Sequence, residues 1–128
     1  MFDIDFFKQV NDTYGHAGGV AVLISFAKLL ESEITSPNIV GRIAGEEFLA
    51  ILYLNQDQAA EFCKKLIIKI NDNTVNFDGI DIKISSSGGV AFSSETNTSA
   101  DLTNKADERL YEAKKSGRNR FKLIDSEL

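Results

Sequence analysis

The stretch Ile39 to Leu54, IVGRIAGEEFLAILYL, restricts the possible folds more than any other part of the chain. Two runs rich in β-branched and apolar residues, Ile39 to Ile43 and Phe48 to Leu54, flank the short polar turn Ala44-Gly45-Glu46-Glu47, which is the pattern of a β-hairpin. The second run is apolar at both alternating sets, Phe48, Ala50, Leu52 and Leu54 against Leu49, Ile51 and Tyr53, so it is expected inside a sheet covered on both sides. Two adjacent carboxylates, Glu46 and Glu47, are then held at the tip of a rigid hairpin.

The remaining 112 of the 128 residues, 128 less the 16 of this stretch, have to supply the covering layers. That length suits one domain with one core, read as residues 1–128, and 43% hydrophobic with 26% charged residues is the balance of an ordinary globular domain. No run approaches the ~20 apolar residues of a membrane span, and the N-terminus lacks a signal-peptide pattern. A cytoplasmic setting without membrane contact is therefore expected. The single cysteine, Cys63, has no disulfide partner within the chain, and with one histidine there is no Cys/His zinc set. A net charge of −5 argues against a nucleic-acid-binding surface.

The N-terminal Met1-Phe2-Asp3-Ile4-Asp5 alternates like the end of a strand, with Asp3 and Asp5 on one side. Only a stub of that strand is present, and an N-terminally truncated domain is expected. Phe6 to Gly15 reads as a helical turn running into a bend. Gly18 to Ile34 then has helical spacing at 20, 23, 27, 30 and 34, widened by Val22, Phe26 and Leu29. Pro37 ends that element. Gln56 to Asn71 is amphipathic, with Ala59, Phe62, Cys63, Leu66, Ile67 and Ile70 on one face. Val75 to Phe77 and Ile80 to Ile82 alternate across Asp78-Gly79, a two-residue hairpin turn, and the second strand is expected to continue through Ser85, Ser87 and Gly89 to Phe92. Thr98 or Ser99 caps a helix to Ser116 with Leu102, Ala106, Leu110 and Ala113 inward. Arg120 to Asp125 alternates as a last edge strand. The sum is an α+β domain, an α/β sandwich with mostly antiparallel strands.

If the strand holding Asp3 and Asp5 neighbours the hairpin, three or four carboxylates converge. Like charges about 4 Å apart repel by ~4 kcal/mol at an effective dielectric near 20, so the set calls for a cation. Oxygen-only ligands without histidine favour Mg²⁺ over zinc. The competing reading is solvated acids in turns. Lys8, Lys114, Lys115 and Arg118 are the matching bases. They read either as cations complementing a helix C-terminus or as groups reaching the phosphates of a metal-bound nucleotide. His16, by itself, reads as a structural hydrogen-bonder.

The blocks Asp3-Ile4-Asp5-Phe6-Phe7-Lys8, Asn11-Asp12-Thr13-Tyr14-Gly15-His16 with Gly19, Arg42-Ile43-Ala44-Gly45-Glu46-Glu47-Phe48, then Ser85, Ser87, Gly89 and Ala91, and finally Ala106-Asp107, Leu110-Tyr111, Ala113-Lys114 and Gly117-Arg118-Asn119 follow one another along nearly the whole chain. In that order they resemble the GGDEF domain family, the diguanylate cyclases that join two GTP into cyclic di-GMP, a bacterial second messenger. The resemblance implies a palm-like, ferredoxin- and adenylyl-cyclase-like fold, with a five-stranded, mostly antiparallel central sheet flanked by helices. It implies that Asp3 and Glu46, with the Ile4 carbonyl, hold two Mg²⁺ or Mn²⁺ ions, and that Glu46 and the adjacent Glu47 are the catalytic acids. The main chain at Phe6 and Phe7 with Lys8, Lys114 and Arg118 would hold the β and γ phosphates, Asn11 would read the guanine edge, and His16 would support the site. One ion would lower the pKa of the ribose 3′-hydroxyl, and the other would stabilise charge on the α-phosphate and departing pyrophosphate. A second domain copy for turnover and an upstream regulatory or sensor module are the implied partners.

Four departures from the family pattern bear on these expectations. Val20 stands where the family has an acid pairing with guanine, a charged hydrogen bond of roughly 1.5 to 3 kcal/mol. Ala44 occupies the first glycine position of the signature, acceptable if its φ stays negative. The product-inhibition motif RxxD would fall on Thr35-Ser36-Pro37-Asn38, which has neither its Arg nor its Asp, so no such site is expected. The family's opening helix and the rest of its first strand have no counterpart. The alternative to a working cyclase is a degenerate, non-catalytic domain acting in nucleotide binding or protein interaction, favoured by Val20 and Ala44.

Overall fold

The computed structural model describes residues 1–124. Strand β1 (Phe2–Ile4) leads directly into helix α1 (Phe7–Glu33), followed by the hairpin β2 (Ile39–Ala44) and β3 (Glu47–Ile51). Helix α2 (Gln56–Asp72), the hairpin β4 (Thr74–Phe77) and β5 (Ile80–Lys83), and β6 (Ser86–Gly89) come next. A 3₁₀ turn at Ser93–Glu95, helix α3 (Ser99–Lys115) and β7 (Phe121–Lys122) complete the order. The main sheet has the order β2-β3-β1-β6-β7, antiparallel except for the β6–β7 pair, while β4 and β5 form a separate two-stranded sheet. The architecture is thus the expected mixed α+β one.

Alternation decides the two faces of the sheet. Phe2 and Phe48 are register partners and stack at 6.0 Å, and Phe26 of α1 meets both rings at 6.2 and 5.1 Å. Phe121 closes the cluster at 5.9 Å from Phe2. Such ring pairs add about 0.5–1.5 kcal/mol each beyond their buried area. On the other face, α3 packs against β6 and β7. Gly89 permits this approach, since a Cβ there would stand 2.0 Å from the Ala106 carbonyl oxygen and 2.3 Å from the Leu110 nitrogen. Arg109, buried on α3, fixes the connection by donating to the Val90 carbonyl at 2.8 Å and to both Glu95 oxygens at 2.7 and 2.6 Å.

Several local expectations are revised. The run from Ile80 to Phe92 is two strands, because the chain turns at Ile84–Ser85 and hands β6 to the main sheet; period-two alternation does not register a change of sheet. Strand β3 ends at Ile51, and it is covered on one side only: Phe48 is buried, whereas Leu49 and Ala50 are half-buried and Ile51 is exposed. On that side α3 packs chiefly over β6 and β7. In α1 the inward line is Val22, Phe26 and Leu30, while Val20 is 38% exposed, so Val20 does not extend the core stripe. The last alternating run forms only β7, and Asp125 lies outside the described residues.

Two expected glycine features are present. Gly15, at φ 75° and ψ 175°, breaks α1 into the short first segment and the long buried helix. Asp78 and Gly79 both have positive φ, as the tight β4–β5 turn requires. Asn55 and Gln58 form a reciprocal capping box at the start of α2, and Thr98 accepts from the Asp101 N–H at the start of α3. Cys63 is buried and its thiol is pushed up to about 12 by desolvation, which makes it an inert apolar residue.

Candidate active site

The centre of the sheet is where β1 meets the hairpin. Asp3 faces Glu47 in register, and the Ile4 N–H donates to the Glu46 carbonyl at 3.3 Å, so the predicted neighbours are brought together. Ala44 has no positive φ, and the turn glycine, Gly45, takes the left-handed conformation at φ 51°. Arg42 pins the tip by donating from Nε to the Gly45 carbonyl at 2.7 Å. The signature turn therefore keeps its shape with alanine in its first position.

Asp3 is 3% exposed. Its Oδ2 meets Lys114 Nζ at 2.5 Å, whereas its Oδ1 is buried with no hydrogen-bond partner among the described residues. Burial pushes this carboxyl above the usual range, Lys114 opposes that shift, and the neighbouring Asp5 and Glu46 charges reinforce it. A buried acceptor left without a donor costs about 1–3 kcal/mol, which is the signature of a site completed by something else.

Asp3, Asp5 and Glu46 lie near enough for their charges to act on one another, but they do not form the expected metal cage of three or four acids. Among the described residues no cluster of three or more His, Cys, Asp or Glu could hold a metal ion. Asp5 is otherwise engaged: its Oδ1 accepts from Ser87 Oγ at 2.7 Å, and its Oδ2 accepts from Ser85 Oγ at 2.6 Å and from the Asn119 N–H at 2.9 Å. What remains is Asp3, Glu46 and main-chain oxygen. This set still fits Mg²⁺, which is commonly held by one or two carboxylates with substrate phosphates and water supplying the rest. The unpartnered Asp3 Oδ1 is the observation that supports the fit.

Helix α1 starts three residues beyond Ile4, with Phe6 at φ 56° as its N-cap. No side chain caps it and no acid stands in its first turn, leaving first-turn N–H groups for an anion. Phe6 is 54% exposed, and the Arg118 guanidinium lies 4.8 Å from its ring centroid. Lys114, in the last turn of α3, and Arg118, just past Gly117, thus converge on the β1–α1 corner with Phe6. Phe7 is half-buried and Lys8 is exposed on the first turn. Asn11 lies in the notch left by Gly19, where a Cβ would come 1.9 Å from its Oδ1. His16 is exposed, just beyond the Gly15 break.

An apolar cavity of about 630 Å³, lined among others by Leu52, Leu54, Phe62, Cys63, Phe92 and Leu102, lies apart from this set and has no Asp, Glu, Lys or Arg in its wall. It has no bearing on phosphate chemistry. Sequence reasoning quoted Ser85, Ser87 and Asn119 within the matching blocks without a role for them as donors to Asp5, and it passed over Arg109 and Glu95. The two serines alternate, which signalled a shared face; nothing in a charged helical pattern marked Arg109 as buried.

Comparison with known proteins places these features in one family. The family described as "Diguanylate cyclase, GGDEF domain" matches residues 1–120. Diguanylate cyclase A of Treponema denticola is 37% identical over 130 residues, covering 100% of this chain and 35% of that protein. Diguanylate cyclase DgcS of Shewanella oneidensis is 37% identical over 128 residues, covering 100% of this chain and 42% of that protein. The chain therefore spans well under half the length of these relatives. Among solved structures, the GGDEF domain of YfiN, also called TpbB, from Pseudomonas aeruginosa superposes with a TM-score of 0.90 at 28% identity, covering 98% of this chain and 80% of that one.

Proposed function

Because the chain belongs to the GGDEF family of diguanylate cyclase domains, we propose that it condenses two GTP into cyclic di-GMP by a metal-assisted phosphoryl transfer. The observation that carries the proposal is the buried Asp3 carboxylate, half paired with Lys114 and half unsatisfied, beside Glu46 and an uncapped helix N-terminus. In each half-reaction the 3′-oxygen of one GTP forms a bond to the α-phosphorus of the other, the α–β anhydride bond breaks, and pyrophosphate leaves.

Asp3, Glu46 and the Ile4 carbonyl would hold Mg²⁺ or Mn²⁺. When bound, the two ions supply Lewis-acid stabilisation of the attacking and leaving oxygens. The uncapped N–H groups at Phe6 and Phe7, with Lys8, Lys114 and Arg118, bind the β and γ phosphates and neutralise charge gathering on the leaving pyrophosphate. Glu47, exposed and opposite Asp3, takes the 3′-hydroxyl proton. Asn11 offers its amide to the guanine edge. With Val20 exposed and no acid in its place, selectivity for guanine over adenine rests on Asn11 and is modest. Feedback by product at Thr35–Asn38 is no part of this reading.

Each chain holds one GTP, so turnover needs two domains facing each other, and a regulatory module elsewhere in the protein would bring them together. Calorimetric titration with GTP, with and without Mg²⁺ and with ATP as competitor, tests the binding half. Metal-dependent binding that prefers GTP is expected. Glu46→Gln should abolish cyclic di-GMP formation by chromatography; product surviving that change would remove the metal assignment. Binding without product in the unaltered domain would favour the second reading, a degenerate nucleotide-binding module, for which Val20 speaks.

A further inference from the structure

Asp5 has the sequence position of a metal ligand and the geometry of something else. It is 5% exposed, and both of its oxygens are engaged by neutral donors: Ser87 Oγ, Ser85 Oγ and the Asn119 N–H. Its own N–H donates to the Ser85 carbonyl at 2.9 Å, which aligns the end of β1 with β6. The Asn119 N–H can only donate and the two serine hydroxyls can turn either way, so a carboxylate accepts from all three at once, whereas an amide would keep one acceptor oxygen and have to give its NH2 to a serine oxygen.

Asn119 belongs to the tripeptide Gly117-Arg118-Asn119, in which φ is 125°, 63° and 50°. Two successive non-glycine residues in the left-handed region persist only where surrounding contacts over-determine them. The Arg118 N–H is held by the Ala113 carbonyl at 3.0 Å, a continuation of α3. The Asn119 N–H is held from across the fold by Asp5, whose chain neighbour Phe6 carries the Arg118 guanidinium on its ring. One carboxylate thus ties the strained turn to the corner where β1 becomes α1.

We propose that Asp5 is a positioning residue, a carboxylate clasp that fixes the Gly117–Asn119 turn so that Arg118 faces the same polyphosphate as the α1 N-terminus. The proposal rests on the nucleotide-binding reading above. It assigns Asp5 no metal and no contact with substrate. Its consequence is specific to phosphates: loosening the clasp weakens the grip on the β and γ phosphates and leaves the metal carboxylates and the guanine contact in place.

Asp5→Asn takes away the charge and one of the two acceptor oxygens with almost no change of shape. The expected result is GTP affinity lower by about tenfold, the usual scale for losing a group that orients a ligating one, with GMP affinity and nucleotide-free Mn²⁺ binding, read by electron paramagnetic resonance, unchanged. Arg118→Ala should give the same GTP-over-GMP loss, and the double variant no more than either alone. Loss of Mn²⁺ binding would make Asp5 a ligand, and an equal drop for GMP and GTP would make it merely structural; either result overturns the proposal, as does unchanged GTP affinity. Amide exchange at Asn119, measured without nucleotide, should quicken in Asp5→Asn. If the unaltered chain binds no GTP, the nucleotide reading fails, and so does the phosphate-positioning role; quickened exchange would then show only the structural tie.

Discussion

At the Asp3 carboxylate, one oxygen meets Lys114 at 2.5 Å while the other is buried without a partner among the described residues, so the nucleotide-free state leans on Lys114. Removing one member of a buried pair leaves an uncompensated charge, at a cost of about 3–5 kcal/mol. The Lys114 side chain is 35% exposed, and solvent screening reduces the figure. Lys114→Met should therefore lower stability by about 2 kcal/mol in urea titrations with EDTA, and added Mg²⁺ should restore part of it. Equal losses with and without Mg²⁺ would show that the cation does not use Asp3. A cation at Asp3 would also take over the counter-charge role and release Lys114 toward phosphate. Asp3 and Asp5, two residues apart and alike in sequence, thus divide the work: one oxygen pair is left incomplete and the other is saturated.

Among the elements, α3 carries the basic side of the site, and two contacts seat it. Gly89 is the closer one. Gly89→Ala would press a Cβ into the α3 backbone, where no rotamer relieves it, so a loss of about 3 kcal/mol is expected together with weaker GTP binding as Lys114 and Arg118 shift. At Gly88 the nearest atoms that a Cβ would meet belong to the Phe121 side chain, at 2.7 Å, rather than to backbone, so Gly88→Ala should cost less than Gly89→Ala in thermal unfolding. The second contact is Glu95 with Arg109, whose side chains are 15% and 9% exposed. The Arg109 guanidinium, with help from the Phe92 N–H and against a smaller desolvation effect, holds the Glu95 carboxyl below the usual range. A folded-state pKa below the unfolded value gives stability that is present above about pH 4.5 and is lost as pH falls through the folded value. Glu95→Gln should lower stability by about 3 kcal/mol at neutral pH and flatten the decline between pH 5 and 3, seen as urea midpoints across that range.

For the whole molecule, the proposed reaction joins substrates held by two copies, so the isolated chain should form cyclic di-GMP at a rate per chain that rises with chain concentration. A rate per chain independent of concentration would mean that one chain suffices or that it is already paired. How much of this was legible in the sequence follows from the range of the forces involved. The hairpin that runs from Ile39 to Ile51, the cap at Thr98, the break at Gly15 and the turn at Asp78-Gly79 were determined by neighbours within a few residues, where periodicity and backbone preference act. The pairing of Asp3 with the tip was legible only as a condition, that the two strands be adjacent. Tertiary structure alone decided the rest: that β5 and β6 enter different sheets, that Val20 faces out, that Arg109 is buried on Glu95, and that Asp5 turns to Ser85, Ser87 and Asn119 rather than to a metal. Each of these depends on which donor or apolar surface arrives from a distant part of the chain, and local alternation carries no record of that arrival.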